Sequence, residues 1–324
     1  MYRAVRKSLK VLARVVVGGV VIGILVARTD LAELGRHLRA ADVGPIAFAA
    51  VLFLVGLGVS ALRWREYLVA LEYPMPYVTL YRLYFVGTFF NAFLPTGVGG
   101  DAYKAIRIGR AHGQTALAFS SVFLDRFAGM VGLALIGFVM SAARLIGGDR
   151  SWVPALALAA SGGIGVAAAL VLGPGERLLG RGRLIPQTGI GGKVRQMIAG
   201  VNRAGRHPRA AAAGFALGVA FQGIVLIYHA TVARGLGIEV SIAAMASIVV
   251  LASVTVLVPI SVSGLGVVEF VYAHALQVYG VPHAKAVAFA LVIRAVSLLS
   301  SAAGGLVYLA FGGEVAPSSD TPVD

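Results

Sequence analysis

Five charged residues lie within or beside long apolar stretches of the chain: Asp101, Lys104, Arg126, Glu269 and Arg294. A charge left alone at the centre of a bilayer costs at least about 2.5–3.5 kcal/mol, so such residues are usually paired or functional. The two acids share one spacing, because each precedes an arginine by 25 residues. Carboxylates and guanidinium groups at this spacing permit ion pairs, and they also permit binding of an anion such as a lipid phosphate.

Two interpretations of these charges stay open. In the first, Asp101 pairs with Arg126 and Glu269 pairs with Arg294 only to hold neighbouring helices together. In the second, the arginines and the nearby helix N-termini bind a lipid phosphate, because free N–H groups and the helix dipole favour anions. A carboxylate in the first helical turn competes for that role. Lys104 is expected on the same helix face as Arg107 and Arg110, which we expect to extend toward headgroups.

Each acid follows a segment that is expected to interrupt a helix. The first break runs from Leu94 to Gly100 and contains proline and glycines, as does the second, around residues 258–266. Proline removes a backbone donor, and glycine permits backbone angles closed to other residues. We expect Asn91 and Thr96 to satisfy freed backbone groups and Asp101 to occupy a helix N-cap.

Broken backbone at membrane depth is tolerated only where it is buried in protein or lines a wet cavity. The residues of the two breaks are therefore assigned, with the charges, to a path for a lipid headgroup or other substrate. The predicted set is Asn91, Pro95, Thr96, Gly99, Gly100, Asp101, Lys104, Arg126, Pro259, Ser263, Gly264, Gly266, Glu269 and Arg294.

The composition places these residues in a membrane. The chain is 58% hydrophobic and only 13% charged, whereas a soluble domain carries about 25% charged residues. Apolar runs of roughly the length needed to span a bilayer, about 20 residues, recur along the sequence. They occupy 11–27, 43–62, 115–143, 152–173, 210–233, 242–260 and 284–311. These runs lack the alternation of barrel strands, so they predict helices.

The basic residues indicate orientation. The net charge is +14, which we attribute to cytoplasmic loops and anionic lipid and not to nucleic-acid binding. The basic segment 174–209 is expected to be a cytoplasmic loop. If 77–95 crossed the membrane fully, that loop would lie outside, so 77–112 is predicted to enter and leave from the cytoplasm as a re-entrant hairpin. Aromatic residues near Trp64 are interpreted as an interfacial belt: Trp64, Tyr67, Tyr73, Tyr77, Tyr81 and Tyr84.

The predicted fold class is all-α, a polytopic helical membrane protein of two inverted-topology repeats. Repeat one covers about 11–143 and repeat two about 152–311, each with three spans and one re-entrant helical hairpin. Both belong to a single transmembrane domain, 1–313, followed by a disordered tail, 314–324. The protein is expected in the inner (plasma) membrane of the cell. Because the number of spans, six, is even, both termini are expected in the cytoplasm. Inverted repeats with broken helices are typical of transporters.

Motifs for catalysis and for cofactors are missing from the sequence. There is no cysteine, and no hydrolytic nucleophile motif, metal cluster or nucleotide-binding loop is recognised. The string Gly97 to Gly100 lacks the Lys-Ser/Thr ending of a P-loop. We therefore expect no enzyme activity, no cofactor and no metal site.

The residues Phe90 to Lys104, with the later Asp125-Arg126 pair and the Pro259 to Glu269 stretch, resemble the flippase-like membrane region of lysylphosphatidylglycerol synthases. The resemblance covers nearly the whole chain and implies a module that moves lipid between leaflets. Two positions depart from the family pattern, since Lys104 replaces the usual arginine and Asp125 replaces a frequent glutamate. The aminoacyl-transferase domain of the synthases has no counterpart in this sequence, so that activity is not implied.

Three hypotheses about function follow. The first is a lipid flippase-like transporter, for a phospholipid or a polyprenyl- or hopanoid-type lipid, whose partners are membrane lipids with an anionic headgroup. The second is a secondary transporter of a small anionic solute, with Arg126 and Arg294 as clamps. The third is a non-catalytic membrane partner of a separate lipid-modifying enzyme. Openings between helices toward the bilayer favour the first, and a closed central vestibule favours the second.

Overall fold

The computed structural model describes residues 16–94, 98–172, 196, 199–204, 206–257 and 261–311. This part of the chain is helical and contains no strand. The predictions for Pro95, Thr96 and Pro259, for the tail 314–324 and for most of the basic loop fall outside these residues. The helices are α1 (Val16–Ala27), α2 (Leu31–Arg39), α3 (Val43–Ala70), α4 (Tyr77–Phe93), α5 (Gly99–His112), α6 (Thr115–Ile146), α7 (Trp152–Leu172), α8 (Pro208–Gly235), α9 (Ile242–Leu257), α10 (Val267–Val278) and α11 (His283–Phe311).

Five of the described helices, α3, α6, α7, α8 and α11, are long and apolar enough to cross a membrane. The chain is therefore a multi-pass membrane protein. Of the first predicted span, 11–27, the structure describes only Val16–Ala27. The prediction for the second span, 43–62, was too short, because α3 continues to Ala70 and so contains Arg63.

Both predicted helix breaks are present. Helix α4 ends at Phe93 and α5 begins at Gly99, while α9 ends at Leu257 and α10 begins at Val267 after a 3-10 turn. The four flanking helices have 17, 14, 16 and 12 residues, which is short of the roughly 20 that a span requires. All four are therefore shorter than the five helices that are long enough to span a membrane.

The start of α5 corrects one expectation. Val98 occupies the N-cap without a side-chain hydrogen bond, and Asp101 is the third residue of the helix. The Asp101 carboxylate does not cap the helix, because ion pairs hold it instead. The oxygen that reaches this end of α5 belongs to Asn91, whose Oδ1 accepts a hydrogen bond from Gly100 N at 2.8 Å. Asn91 thus satisfies a backbone group that the break leaves free, as predicted.

The close contact between α4 and α5 depends on glycine. A Cβ atom added at Gly100 would overlap the carbonyl oxygen of Gly87, so the two backbones touch where any side chain would hold them apart. The ring of Phe90 lies 4.9 Å from that of Tyr103 beside this contact. Small residues at this crossing let α4 hold the first turn of α5 in place.

Helices α3 and α8 run antiparallel along each other. Asp42 N, just before α3, donates to Gly235 O at the end of α8, at 2.8 Å. At the opposite end of α3, Tyr67 lies against Gly214 near the start of α8. Both helices have 28 residues. This pair forms a long contact through the bundle.

The broken helices pack in matching ways. Helix α5 contacts α4 and α6, and α10 contacts α9 and α11. Helix α4 also packs on α11, and α9 packs on α6. Each broken pair therefore contacts the long helix that follows it and the long helix that follows the other broken pair.

The connection between α6 and α7 is held by a short charged cluster. Arg144 Nη2 lies 2.7 Å from Asp149 Oδ2, and Ser151 N donates to Asp149 Oδ1 at 2.9 Å. Burial by itself would raise the pKa of Asp149, but the hydrogen bonds from Ser151 and the Arg144 guanidinium outweigh it and lower that pKa to about 2.

Candidate functional site

The first predicted charge pair is present. Arg126 Nε donates to Asp101 Oδ2 at 2.8 Å, and Lys104 Nζ lies 3.2 Å from Asp101 Oδ1. The two oxygens of this carboxylate therefore face two different cations. Helix α5 supplies the acid and the lysine from one face, three residues apart, and α6 supplies the arginine.

A second carboxylate lies deeper beside this pair. Asp125 is fully buried, and its Oδ1 accepts from Arg63 Nε at 2.8 Å. Its Oδ2 accepts a hydrogen bond from the Tyr84 hydroxyl at 2.6 Å and lies 3.9 Å from Lys104 Nζ. Lys104 thus lies between the two carboxylates, with a side chain only 2% exposed.

Aromatic rings surround the buried lysine. Lys104 Nζ lies 3.7 Å from the ring centre of Tyr84 and 5.2 Å from that of Trp64, distances at which a cation interacts with the π-system. Trp64 is fully buried and donates from Nε1 to Ser121 Oγ at 2.9 Å. The sequence predicted an interfacial aromatic belt but did not predict that Trp64 and Tyr84 would contact this buried cluster.

The charges of the first cluster do not balance. Arg63, Lys104 and Arg126 face two carboxylates, Asp101 and Asp125. With all five groups ionised, the cluster keeps one positive charge. Of the three cations, only Arg126 is exposed at the surface of the described structure: its side chain is 52% exposed, whereas those of Arg63 and Lys104 are buried.

The second predicted charge pair is also present. Arg294 Nε donates to Glu269 Oε1, and Glu269 Oε2 accepts a hydrogen bond from Gly266 N at 2.7 Å. Arg294 Nη1 lies 3.5 Å from the carbonyl oxygen of Ser263. Glu269 is the third residue of α10, the position that Asp101 has in α5. Both arginines are the twelfth residues of their helices, counted from Thr115 and His283.

The backbone of the second break needs its glycines. Gly264 and Gly266 have φ of 72° and 81°, in the left-handed region that glycine enters without a steric penalty. Ser263 has φ of 50°, and its side chain and carbonyl oxygen both make contacts. Its Oγ donates to the carbonyl oxygen of Asn91 at 2.9 Å, so the structure brings the two predicted breaks together.

The model of the family "Lysylphosphatidylglycerol synthase TM region" matches residues 11–305. The chain belongs to this family. The match covers both breaks and both charge pairs, in agreement with the resemblance carried by the motifs. No curated protein sequence matches the chain.

In this member of the family, the two halves differ where the buried charges lie. The register that superposes Asp101 on Glu269 places Tyr272 at the position of Lys104 and Ile293 at that of Asp125. Tyr272 donates its hydroxyl to His229 Nε2 at 2.7 Å, because His229 Nδ1–H is used by Val225 O. The second half therefore has a neutral hydrogen-bonded group where the first half has an ion network.

Sequence reasoning did not assign Arg63, Tyr84 or Asp125 to the site. Arg63 directly follows the apolar run 43–62, where a basic residue is expected to mark the cytoplasmic end of a span, but it is 2% exposed and lies inside α3. The Asp125-Arg126 dipeptide carried the only signal, since adjacent opposite charges inside an apolar run require partners on two sides of a helix. Pro95, Thr96 and Pro259 fall outside the described residues, so their contacts are not part of this site.

Proposed function

We propose that this protein is a lipid flippase-like transporter that passes an anionic headgroup along Arg126. The observation that supports the proposal is the position of that side chain. Arg126 lies eleven residues after Thr115, or about 16 Å along the axis of α6. Because α6 has 32 residues, Arg126 lies well inside this helix and away from both of its ends, as expected of a residue within a span.

A half-exposed guanidinium within a span is costly in lipid unless water or an anion meets it. Its exposed neighbours on the same face of α6 are apolar, because Phe119 and Phe123 precede it by seven and three residues and are 36% and 38% exposed. A cation on an apolar outer face suits an amphipathic ligand, which places its headgroup at Arg126 and its chains along the rings. A soluble anion has no apolar chains that could pack on the phenylalanine rings of this face.

The excess positive charge of the first cluster supports the same function. An anionic headgroup at Arg126 would offset the one charge that Asp101 and Asp125 leave unbalanced. Because Lys104 also holds Asp101, Arg126 could turn toward a phosphate without leaving that carboxylate unpaired. Arg294 in the second half has a buried Nη2 with no hydrogen bond in the described part of the chain, which makes it the equivalent donor there.

We further propose that the two halves are inverted repeats with re-entrant hairpins in a cell inner membrane, and that both termini are cytoplasmic. The equal positions of the acids and arginines in their helices, the short broken helices and the matching helix contacts support this arrangement. Within it, the chain acts without enzymatic turnover, cofactor or metal.

Cysteine labelling tests the topology, because the chain has no cysteine of its own. Single cysteines at Gly35 and Gly147 should react with a membrane-impermeant maleimide added to intact cells, and a cysteine at Gly191 should react only after lysis. External labelling at Gly191 would contradict the topology while leaving the charge clusters unchanged.

A reconstituted-vesicle assay tests the transport function. Movement of a fluorescent anionic phospholipid between leaflets, followed by dithionite quenching, should fall at least about tenfold in Arg126→Gln if one charge-assisted hydrogen bond is lost. Arg209→Gln is the matched control, since that arginine is 84% exposed and 3.9 Å from its only described carboxylate. Retained lipid movement in Arg126→Gln would contradict the proposal.

Charge reversal separates a structural role from a binding role. The double variant Asp101→Arg, Arg126→Asp keeps an ion pair but removes the cation from α6. We expect it to fold and to lose lipid movement. If it restores movement, the pair only holds the helices. Uptake of a soluble anion by the vesicles would favour the solute transporter, and activity that appears only with a co-purified enzyme would favour the partner role.

A further inference from the structure

A cavity of about 270 Å³ shares no residue with either charge cluster and lies between the last turn of α1, one face of α10 and the start of α11. Its volume is near the lower limit of pockets that bind small molecules. Ile24 and Leu25 contribute apolar surface. Polar groups converge from the other side, so the cavity has the composition of a small ligand site.

Arg28 is the charged residue that lines this cavity. It follows α1 directly, and no carboxylate in the described part of the chain lies within ion-pair distance of it. An arginine next to a cavity without an acid to pair with presents its planar donors to a ligand, and these donors match phosphate and carboxylate geometry.

Two histidines that line the cavity each have one ring nitrogen that could bind a ligand. His283 is the first residue of α11, and its Nε2 lies 3.2 Å from Thr29 Oγ1. The Thr29 hydroxyl already donates to Leu25 O at 2.7 Å, so His283 Nε2 must donate to Thr29. The Nδ1 atom of His283 is therefore left for a ligand.

His274 has the same property. Its Nδ1 lies 2.9 Å from the carbonyl oxygen of Phe270, which only accepts, so Nδ1 donates and Nε2 remains available. The imidazole stacks on the Phe270 ring at 3.8 Å and lies 6.5 Å from the His283 ring. When protonated, each histidine offers one N–H to an anion in the cavity.

The charged residues that follow Arg28 and His283 closely in sequence make contacts elsewhere. Asp30 accepts from the first backbone N–H groups of α2, and Glu33 lies 3.6 Å from His37 on that helix. Lys285 donates to Gly237 O at 2.7 Å. None of these contacts brings a carboxylate to Arg28, so the charged side chain among the lining residues is a cation.

The N-terminus of α11 reinforces this charge. The helix begins at the cavity with His283 and runs for 29 residues, and free backbone N–H groups at a helix start favour an anion. Gln277 completes the lining. Its Nε2 donates to Ala273 O at 2.8 Å, which leaves its carbonyl oxygen to accept from a hydroxyl or amine on the ligand.

We propose that this cavity is a binding site for a phosphate-type anion, held by Arg28 with the free nitrogens of His274 and His283. The phosphate belongs either to a lipid headgroup or to a free phosphate ester. The site does not depend on the proposed transport path, because it shares no residue with either charge cluster. Its failure and the failure of lipid movement at Arg126 are separate results.

The test uses the full chain in detergent at pH 5.5. Inorganic phosphate should raise the thermal unfolding temperature, as any ligand does that binds only the folded state. Arg28→Gln should need about tenfold more phosphate for the same rise. Arg39→Gln is the control, because Arg39 is exposed in the last turn of α2, and Arg28→Lys serves if the glutamine variant does not fold.

A second arm distinguishes the source of the phosphate. Nanodiscs of phosphatidylcholine with phosphatidylglycerol are prepared with each variant, and retained lipid is counted by native mass spectrometry. Loss of one phosphatidylglycerol in Arg28→Gln, without a response to inorganic phosphate, assigns the site to a lipid headgroup. A response to phosphate alone assigns it to a free anion.

Two outcomes overturn the proposal. The first is equal behaviour of the wild type, Arg28→Gln and Arg39→Gln in both arms. The second is stabilisation by zinc that is lost in His274→Gln but not in Arg28→Gln, because neutral imidazole nitrogens are zinc ligands and an adjacent arginine is not.

Discussion

The Ser263 hydroxyl donates a hydrogen bond to the carbonyl oxygen of Asn91 at 2.9 Å, which joins the two helix breaks across 172 residues of sequence. Asn91 has a second contact, since its side-chain oxygen accepts from Gly100 N. One residue at the end of α4 thereby contacts both the start of α5 and the turn before α10. The position of one break is consequently coupled to that of the other.

Removal of this hydrogen bond should lower stability by about 1 kcal/mol, the usual net contribution of one intramolecular hydrogen bond. We expect Ser263→Ala to show that loss in thermal unfolding of the detergent-solubilised chain. Ser261→Ala is the control, because the Ser261 hydroxyl is buried without a hydrogen-bond partner in the described part of the chain. Equal loss in both variants would show that the contact contributes nothing.

Removal of the buried carboxylate should have a larger effect. Asp125→Ala leaves Arg63 buried without its partner, and breaking a buried ion pair typically costs about 3–5 kcal/mol. We expect a corresponding fall in the unfolding temperature and in the yield of folded protein. The double variant Arg63→Met, Asp125→Leu removes both charges and should recover much of that loss. If the double variant is less stable than Asp125→Ala, the loss does not come from leaving Arg63 unpaired, and this prediction is wrong.

A methyl group at the crossing of α4 and α5 should separate these helices. We expect Gly100→Ala to fail in folding or to lose several kcal/mol, because its Cβ would overlap the backbone oxygen of Gly87. Gly223→Ala is a matched change within a helix, with nothing within 4 Å of the new atom. It should be neutral or stabilising by up to about 1 kcal/mol. Size-exclusion chromatography and thermal unfolding compare the two.

The low pKa of Asp149, about 2, predicts a pH dependence. A carboxyl whose pKa is lower in the folded state contributes stability above its unfolded pKa of about 3.9. That contribution disappears as the pH falls toward 2. The stability difference between wild type and Asp149→Asn should therefore be constant above about pH 5 and shrink below pH 4. A difference that stays constant down to pH 2 would contradict the assignment.

The broken helices and the outer charge pairs could be predicted because their signals are local. Proline and glycine interrupt a helix wherever they lie, and a charge inside an apolar run requires a partner. The 25-residue spacing then indicated which arginine meets which acid, and both Asp101–Arg126 and Glu269–Arg294 are in contact.

The deeper network could not be predicted in the same way. Arg63 and Asp125 are 62 residues apart, and the second half offers no parallel because Ile293 stands at the position of Asp125. A charge near the end of an apolar run is normally read as the boundary of a span. The structure shows instead that α3 continues past Arg63. The Arg63 charge is compensated by Asp125 of α6 inside the bundle.

The contact between α3 and α8 has a mechanical consequence. A Cβ atom added at Gly56 would contact the Phe221 ring, so the two residues face each other, and each is the fourteenth residue of a helix of 28. A rotation about that contact would therefore work as a balanced lever, with equal arms on both sides. Any opening at one end of this helix pair would be accompanied by a closing of similar size at the other.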